Sequence, residues 1–139
     1  MNSRLNVAVR ERHGFCYNIE SQYTLFSDAG LMCIYAGVDR DARQRTLQLI
    51  RREMQRLAEV PLTASQMKAA QQQLIGQMAI SNDNALNEMQ TIGKACLVYG
   101  TVDTLEETNR DIMAVTPADI QLLAQRCFAA ENQSTLCYI

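Results

Sequence analysis

The sequence has no tryptophan, one histidine, two prolines and only 6% aromatic residues. With His13 alone, a zinc site built on two histidines cannot come from this chain, and no Ser/His/Asp grouping can be argued. Charge of one sign is scarce as well. Thirteen Lys plus Arg against fifteen Asp plus Glu leave a formal net charge of −2, which argues against bulk nucleic-acid binding and its basic excess. No apolar run reaches the length of a signal peptide or a membrane span. The six glycines are scattered and form no phosphate loop. Cys16, Cys33, Cys96, Cys127 and Cys137 are odd in number, and no two have CxxC spacing. That leaves neither a zinc ribbon nor a thioredoxin-type dithiol. Most of them sit beside apolar residues and read as buried small hydrophobes, which suits a reducing compartment.

What remains is the composition of a globular chain: 139 residues, 47% hydrophobic and 20% charged. That length fits one domain burying roughly 70% of its unfolded surface. Charge is uneven along it. Residues 1–60 carry 9 basic and 7 acidic side chains, and residues 61–139 carry 4 and 8. The basic excess lies in Arg40, Arg43, Arg45, Arg51, Arg52 and Arg56, interrupted by Asp39, Asp41, Glu53 and Glu59. It reads as the solvated face of one helix, with an anionic-partner patch as the alternative.

Periodicity divides the chain into a short β part and a long helical part. Residues 3–12 read as a helix with Leu5 and Val9 on one face, ended by His13-Gly14. Residues 16–26 alternate, with Tyr17, Ile19, Tyr23 and Leu25 on one side and Asn18, Glu20, Gln22 and Thr24 on the other. This is a strand with one wet face. A turn at Ser27-Asp28-Ala29-Gly30 leads to a nearly unbroken apolar run over 31–38, expected as a strand buried on both faces and paired antiparallel with the first. Asp39 is a candidate N-cap for a helix to about Val60, with Leu47, Ile50, Met54 and Leu57 on its buried face. Thr63 with Gln66 and Thr104 with Glu107 are capping-box patterns, and Thr116-Pro117-Ala118-Asp119 is the strongest helix start. Met54, Met67, Met78 and Met89 fall at core spacing. The expected architecture is α+β, an antiparallel sheet packed against several helices. It forms one domain with a helix and β-hairpin over residues 3–38, a helical part over 39–129 and a terminal strand over 134–139. Two or three strands are few for so many helices, so further strands are expected upstream or from another chain or copy. The unpaired edge and apolar surface would favour a homo-oligomer.

The chemistry concentrates in Arg10-Glu11-Arg12-His13-Gly14-Phe15-Cys16-Tyr17. His13, at a helix end, suits a capping role, with a functional one as the alternative. Arg10 lies in the last helical turn and Tyr17 opens the strand, so the reversal at Gly14 can bring a guanidinium near a phenol. Such a pair can hold a peptide carbonyl through two donors and stabilise an oxyanion forming on it. The other reading makes Arg10 a cap on helix carbonyls and Tyr17 a core aromatic with a wet tip.

Ser3-Arg4-Leu5, Arg10-Glu11, Gly14 and Tyr17, then Asp28, Gly30, Ile34-Tyr35 and Gly37, resemble the second-domain signature of the pitrilysin/insulinase family of zinc metallopeptidases, which includes the mitochondrial processing peptidases. Lys68, Leu74 and Gly76, Leu97 to Gly100, and the run from Ile112 to Ile120 continue the likeness over nearly the whole chain. The resemblance implies a clamshell of two homologous domains around a chamber. The first domain bears the zinc motif H-x-x-E-H, and the second, represented here, does not. It implies that Arg10 binds a substrate carbonyl and that Tyr17 binds substrate and helps stabilise the tetrahedral intermediate, while zinc belongs to the parent protein or a partner subunit. The implied partners are a peptide substrate and a zinc-bearing first domain or subunit. Because little precedes Ser3, the chain is expected to be the C-terminal portion of such a second domain, lacking the zinc motif and inactive by itself. The alternative function is a catalytically inactive scaffold or partner subunit of a peptidase-like complex.

Overall fold

A short helix whose carbonyls are closed off from beyond its own end begins the structure, a computed structural model describing residues 3–26 and 28–138. Ser3 starts it, its hydroxyl accepting from the Asn6 N–H at 3.2 Å. Asn6–Glu11 is then wound as a π-helix rather than the expected α-helix: Arg12 N–H donates to the Val7 carbonyl at 3.1 Å, five residues back. Gly14 reverses the chain at φ +64°, where a side chain would be strained. Three successive carbonyls of its last turn are each satisfied from beyond its end. Ala8 receives His13 Nδ1 at 2.7 Å, Val9 receives the Phe15 N–H at 3.2 Å, and Arg10 receives the Gly14 N–H at 2.8 Å.

Strands β1 (Asn18–Leu25) and β2 (Gly30–Gly37) form the expected antiparallel hairpin, in register from Asn18↔Gly37 to Leu25↔Gly30. Ser27 of the expected turn lies outside the described residues. The register places Ile19, Ser21, Tyr23 and Leu25 on one face with Ala36, Ile34, Met32 and Gly30. Only one end of that face meets the core: Ile19 is buried and Ile34 and Ala36 pack around it, whereas Tyr23, Leu25 and Met32 are exposed. The expectation that 31–38 would be buried on both faces is therefore corrected. Leu31 and Tyr35 are exposed too, because they stand on the opposite face, with Thr24 and Glu20, which is open to solvent.

A 3₁₀ turn at Arg40–Ala42 leads into α1 (Arg43–Glu59). Its buried stripe is Thr46, Leu49, Ile50 and Glu53, one residue around from the expected stripe; of the expected residues, Leu47, Met54 and Leu57 are half-buried. Glu53 tolerates burial because Arg4 lies 3.5 Å away and Arg56 3.9 Å. Arg45, Arg51 and Arg52 are exposed, the solvated face read from the sequence. The core gathers Ala8, Val9, Cys16, Ile19, Leu49 and Ile50. Cys16 is the buried cysteine; Cys33, Cys96, Cys127 and Cys137 are exposed free thiols, against expectation.

The chain groups into two compact units, Met1–Val60 with Ala124–Ile139, and Pro61–Leu123. Returning to the first unit, Gln125 donates to the Ala58 carbonyl at 3.0 Å. The terminal strand expected over 134–139 is not formed: residues 133–138 carry no strand pairing, Leu136 and Tyr138 are exposed, and Ile139 lies outside the described residues.

The second unit is helical, with α2 (Ala64–Asn82), α3 (Ala85–Tyr99), α4 (Leu105–Ala114) and the start of α5 (Pro117–Cys127). Every cap expected there forms. Gln66 N–H donates to Thr63 Oγ1 at 3.3 Å and Thr63 N–H to Gln66 Oε1 at 3.0 Å. Thr104 and Glu107 repeat the exchange, as do Thr116 and Asp119. Asn84 caps α3, which ends on Gly100 at φ +71°. Burial is sparse: Met67 and Gln71 are buried, while Leu74, Met89 and Leu97 are exposed.

Two predictions arise from these contacts. The Glu107 carboxyl is held below its ordinary range by the Thr104 N–H and hydroxyl, and Asp119 by the Thr116 hydroxyl and N–H. A carboxyl whose folded pKa is depressed lends stability above its unfolded pKa, and loses it as pH falls through the folded value. Carboxyl ¹³C titration should find both groups below ordinary Asp and Glu. Thr104→Ala and Thr116→Ala remove the hydroxyl donor and leave the backbone N–H, so each should move its carboxyl part of the way back, Asp119 more completely than Glu107; titration unmoved by either change would refute the hydroxyl bonds. Second, Gln71 donates to the carbonyls of Ile112, Met113 and Val115 at 3.0, 3.3 and 3.2 Å. Gln71→Leu strands these acceptors, and urea unfolding should show a loss of about 1–3 kcal/mol. A loss below about 0.5 kcal/mol would mean that water replaces the amide.

Candidate functional site

Arg10 and Tyr17 flank the reversal at Gly14. Arg10 lies in the last turn of the π-helix, with its backbone carbonyl accepting from Gly14 and its side chain exposed. Its positive charge counteracts part of the rise that burial imposes on the neighbouring Cys16 thiol, which still stays above its ordinary range. Tyr17 precedes β1, and its N–H donates to the Gly37 carbonyl at 2.9 Å. That bond extends the hairpin ladder by one residue and fixes the tyrosine backbone against the end of β2. Its ring is 70% exposed, so the reading of Tyr17 as a core aromatic fails.

The phenol is not unpartnered. Its hydroxyl lies 2.9 Å from both Asp39 Oδ1 and Asp39 Oδ2. Tyr17 is raised above the ordinary tyrosine range, first by this hydrogen bond and then by the aspartate's charge, both of which favour the protonated phenol. Asp39 does not do what its position before a helix suggests: its side chain makes no capping bond to the 3₁₀ turn. Sequence reading missed this partner. The signal was the hairpin itself, because pairing Asn18 with Gly37 brings the residue before β1 close to the residues after β2. Among the described residues no hydrogen bond joins Arg10 to Tyr17. The two stand as separate donors on the same stretch of chain.

His13 settles as a cap. Its Nδ1 faces the Ala8 carbonyl, which can only accept, so the proton is on Nδ1. The imidazole lies 5.3 Å from the Phe15 ring, and the Arg45 guanidinium stands 5.9 Å over that ring. These residues, with Gln48, Leu49 and Arg52, line a shallow recess of about 370 Å³. Zinc, which the family resemblance implies, finds no fitting donor set: no three His, Cys, Asp or Glu side chains converge among the described residues. No helix among them is long and apolar enough to cross a membrane.

Comparison with known proteins agrees with the fold and the motifs. Residues 1–74 match the family model described as the peptidase M16 inactive domain. The chain is 32% identical over 125 residues to an uncharacterized zinc protease of Streptomyces coelicolor, covering 90% of this chain and 27% of that protein. It is 27% identical over 131 residues to the uncharacterized zinc protease YmxG of Bacillus subtilis, covering 94% of this chain and 32% of the relative. The chain thus spans about a third or less of the length of these relatives. Among solved structures, a chain of complex III2 from Candida albicans aligns with a TM-score of 0.80 at 18% identity, over 91% of this chain and 30% of that one. The periplasmic protease PqqL of Escherichia coli aligns with a TM-score of 0.60 at 14% identity, over 88% and 14%. With its first 74 residues matched by the inactive-domain model and its α+β fold shared with these neighbours, the chain belongs to the M16 family of peptidases.

Proposed function

We propose that this chain is the substrate-binding portion of a zinc-dependent metalloendopeptidase, with the zinc held on another domain of the same polypeptide or on a partner subunit. The observation that carries this reading is the exposure of Arg10 and Tyr17 on either side of Gly14, at the two positions that the family motif marks for substrate. A peptide backbone offers carbonyl oxygens as acceptors. A guanidinium brings a fork of N–H donors and a phenol brings one O–H. Arg10 holds one substrate carbonyl in place. Tyr17 donates to the oxygen on which negative charge builds when the scissile carbonyl becomes tetrahedral, so its bond is stronger in the transition state than in the bound substrate. The exposed outer half of the hairpin is the surface on which further sheet of the longer protein, or its zinc-bearing half, would continue.

The test uses the full-length protein, assayed for zinc content and for cleavage of a mixed peptide library, alone and with any co-purifying partner. Zinc-dependent cleavage is expected, abolished by chelation and restored by zinc. Absence of both zinc and cleavage in every combination would replace this reading with that of a catalytically inactive scaffold or partner subunit.

A further inference from the structure

We propose that Asp39 is the positioning residue of Tyr17: its carboxylate holds the phenol in one orientation at the open surface and gives up the hydroxyl when a substrate carbonyl arrives. The inference rests on the reading of Tyr17 as a substrate donor and adds a residue to it. The geometry is specific. Tyr17 is tied twice to the same short segment, through its N–H to the Gly37 carbonyl and through its hydroxyl to both oxygens of Asp39. The ring itself is 70% exposed, so packing does little to choose its rotamer. The carboxylate supplies the orientation that packing does not. The Asp39 carboxylate is available for this because only its backbone carbonyl bonds the 3₁₀ turn it precedes, accepting from the Ala42 N–H at 3.0 Å, and its side chain makes no cap. Arg40 and Arg43 line the same shallow recess as Asp39 and are the charged groups beside it.

A phenol carries a single O–H, so it serves either Asp39 or a substrate, not both at once. The exchange is one of hydrogen-bond acceptors, and no proton leaves the phenol. The anionic neighbour favours the protonated phenol, which keeps Tyr17 a donor. Ordering in advance a side chain that would otherwise sample several rotamers removes a cost from the binding step.

The test has two arms. In the 139-residue chain labelled with ¹³C at the tyrosine ζ-carbons, the Tyr17 signal is assigned by its loss in Tyr17→Phe. Asp39→Asn should move its titration midpoint downward. In the full-length protein, Asp39→Ala should lower kcat/KM about 3- to 10-fold, with Asp39→Asn restoring part of the loss. Neither change should have an effect in the Tyr17→Phe background. A Tyr17 titration unmoved by Asp39→Asn would overturn the pairing. Equal losses in both backgrounds would overturn positioning through Tyr17. If Tyr17→Phe cleaves normally, Asp39 positions nothing for catalysis. A titration that still moves would then place the failure in the role given to Tyr17, not in the bond.

Discussion

Full-length protein carrying Tyr17→Phe is expected to keep its fold and its zinc and to lose about 10²-fold in kcat/KM. The magnitude is that of deleting one donor aimed at a developing oxyanion, about 2.7 kcal/mol at 1.36 kcal/mol per decade. The choice of residue makes the result interpretable. The ring is 70% exposed and its hydroxyl bond is to a surface aspartate, so removing the oxygen touches no core contact. Stability should change by no more than about 0.5 kcal/mol, as for other exposed substitutions. How the loss divides is informative. A fall in kcat with KM unchanged places the hydroxyl in the transition state, whereas a rise in KM alone makes it a grip on the ground state. A variant that binds zinc and cleaves at the wild-type rate would leave the family membership intact and remove Tyr17 from the site.

What the sequence made legible was mostly local. The caps at Thr63, Thr104 and Thr116 formed as read, because each joins residues three apart and depends on little beyond a helix start. The hairpin was legible in its alternation, and the spacing of a family motif singled out Arg10 and Tyr17 as candidates. What escaped depended on contacts distant in sequence. Asp39 looked like a cap because it precedes a helix; only the Asn18↔Gly37 register reveals that Tyr17 reaches it first. The apolar run over 31–38 looked doubly buried, yet composition does not say whether both faces of a strand are covered, and Leu31 and Tyr35 stand on the face that is not. The π-helix was unreadable for a similar reason. Its wide turn comes with the carbonyl bonds from His13, Gly14 and Phe15 that close it, and with the burial of Ala8 and Val9.

Val9 is where fold and candidate site meet, and Val9→Ala should be the most damaging conservative change in the first unit. The side chain is 0% exposed, in a core that also holds Ala8, Cys16, Ile19, Leu49 and Ile50. Removing its two methyl groups loses roughly 0.8 kcal/mol of transfer free energy per group, and the cavity left behind adds to that, for about 2–3 kcal/mol in all. Against a net stability of about 5–15 kcal/mol, this is a large fraction. Leu97→Ala, at a side chain 88% exposed, should cost less than about 0.5 kcal/mol in the same urea titration. The effect should also reach the site. The Val9 carbonyl accepts the Phe15 N–H at 3.2 Å, so the residue that anchors the π-helix also fixes the reversal between Arg10 and Tyr17. Amide exchange in Val9→Ala should therefore accelerate at Gly14, Phe15 and Tyr17 more than at the capped helix starts of the second unit. Equal acceleration everywhere would mean that the core around Val9 supports the whole chain alike. No acceleration at these three amides would mean that the reversal is held without it.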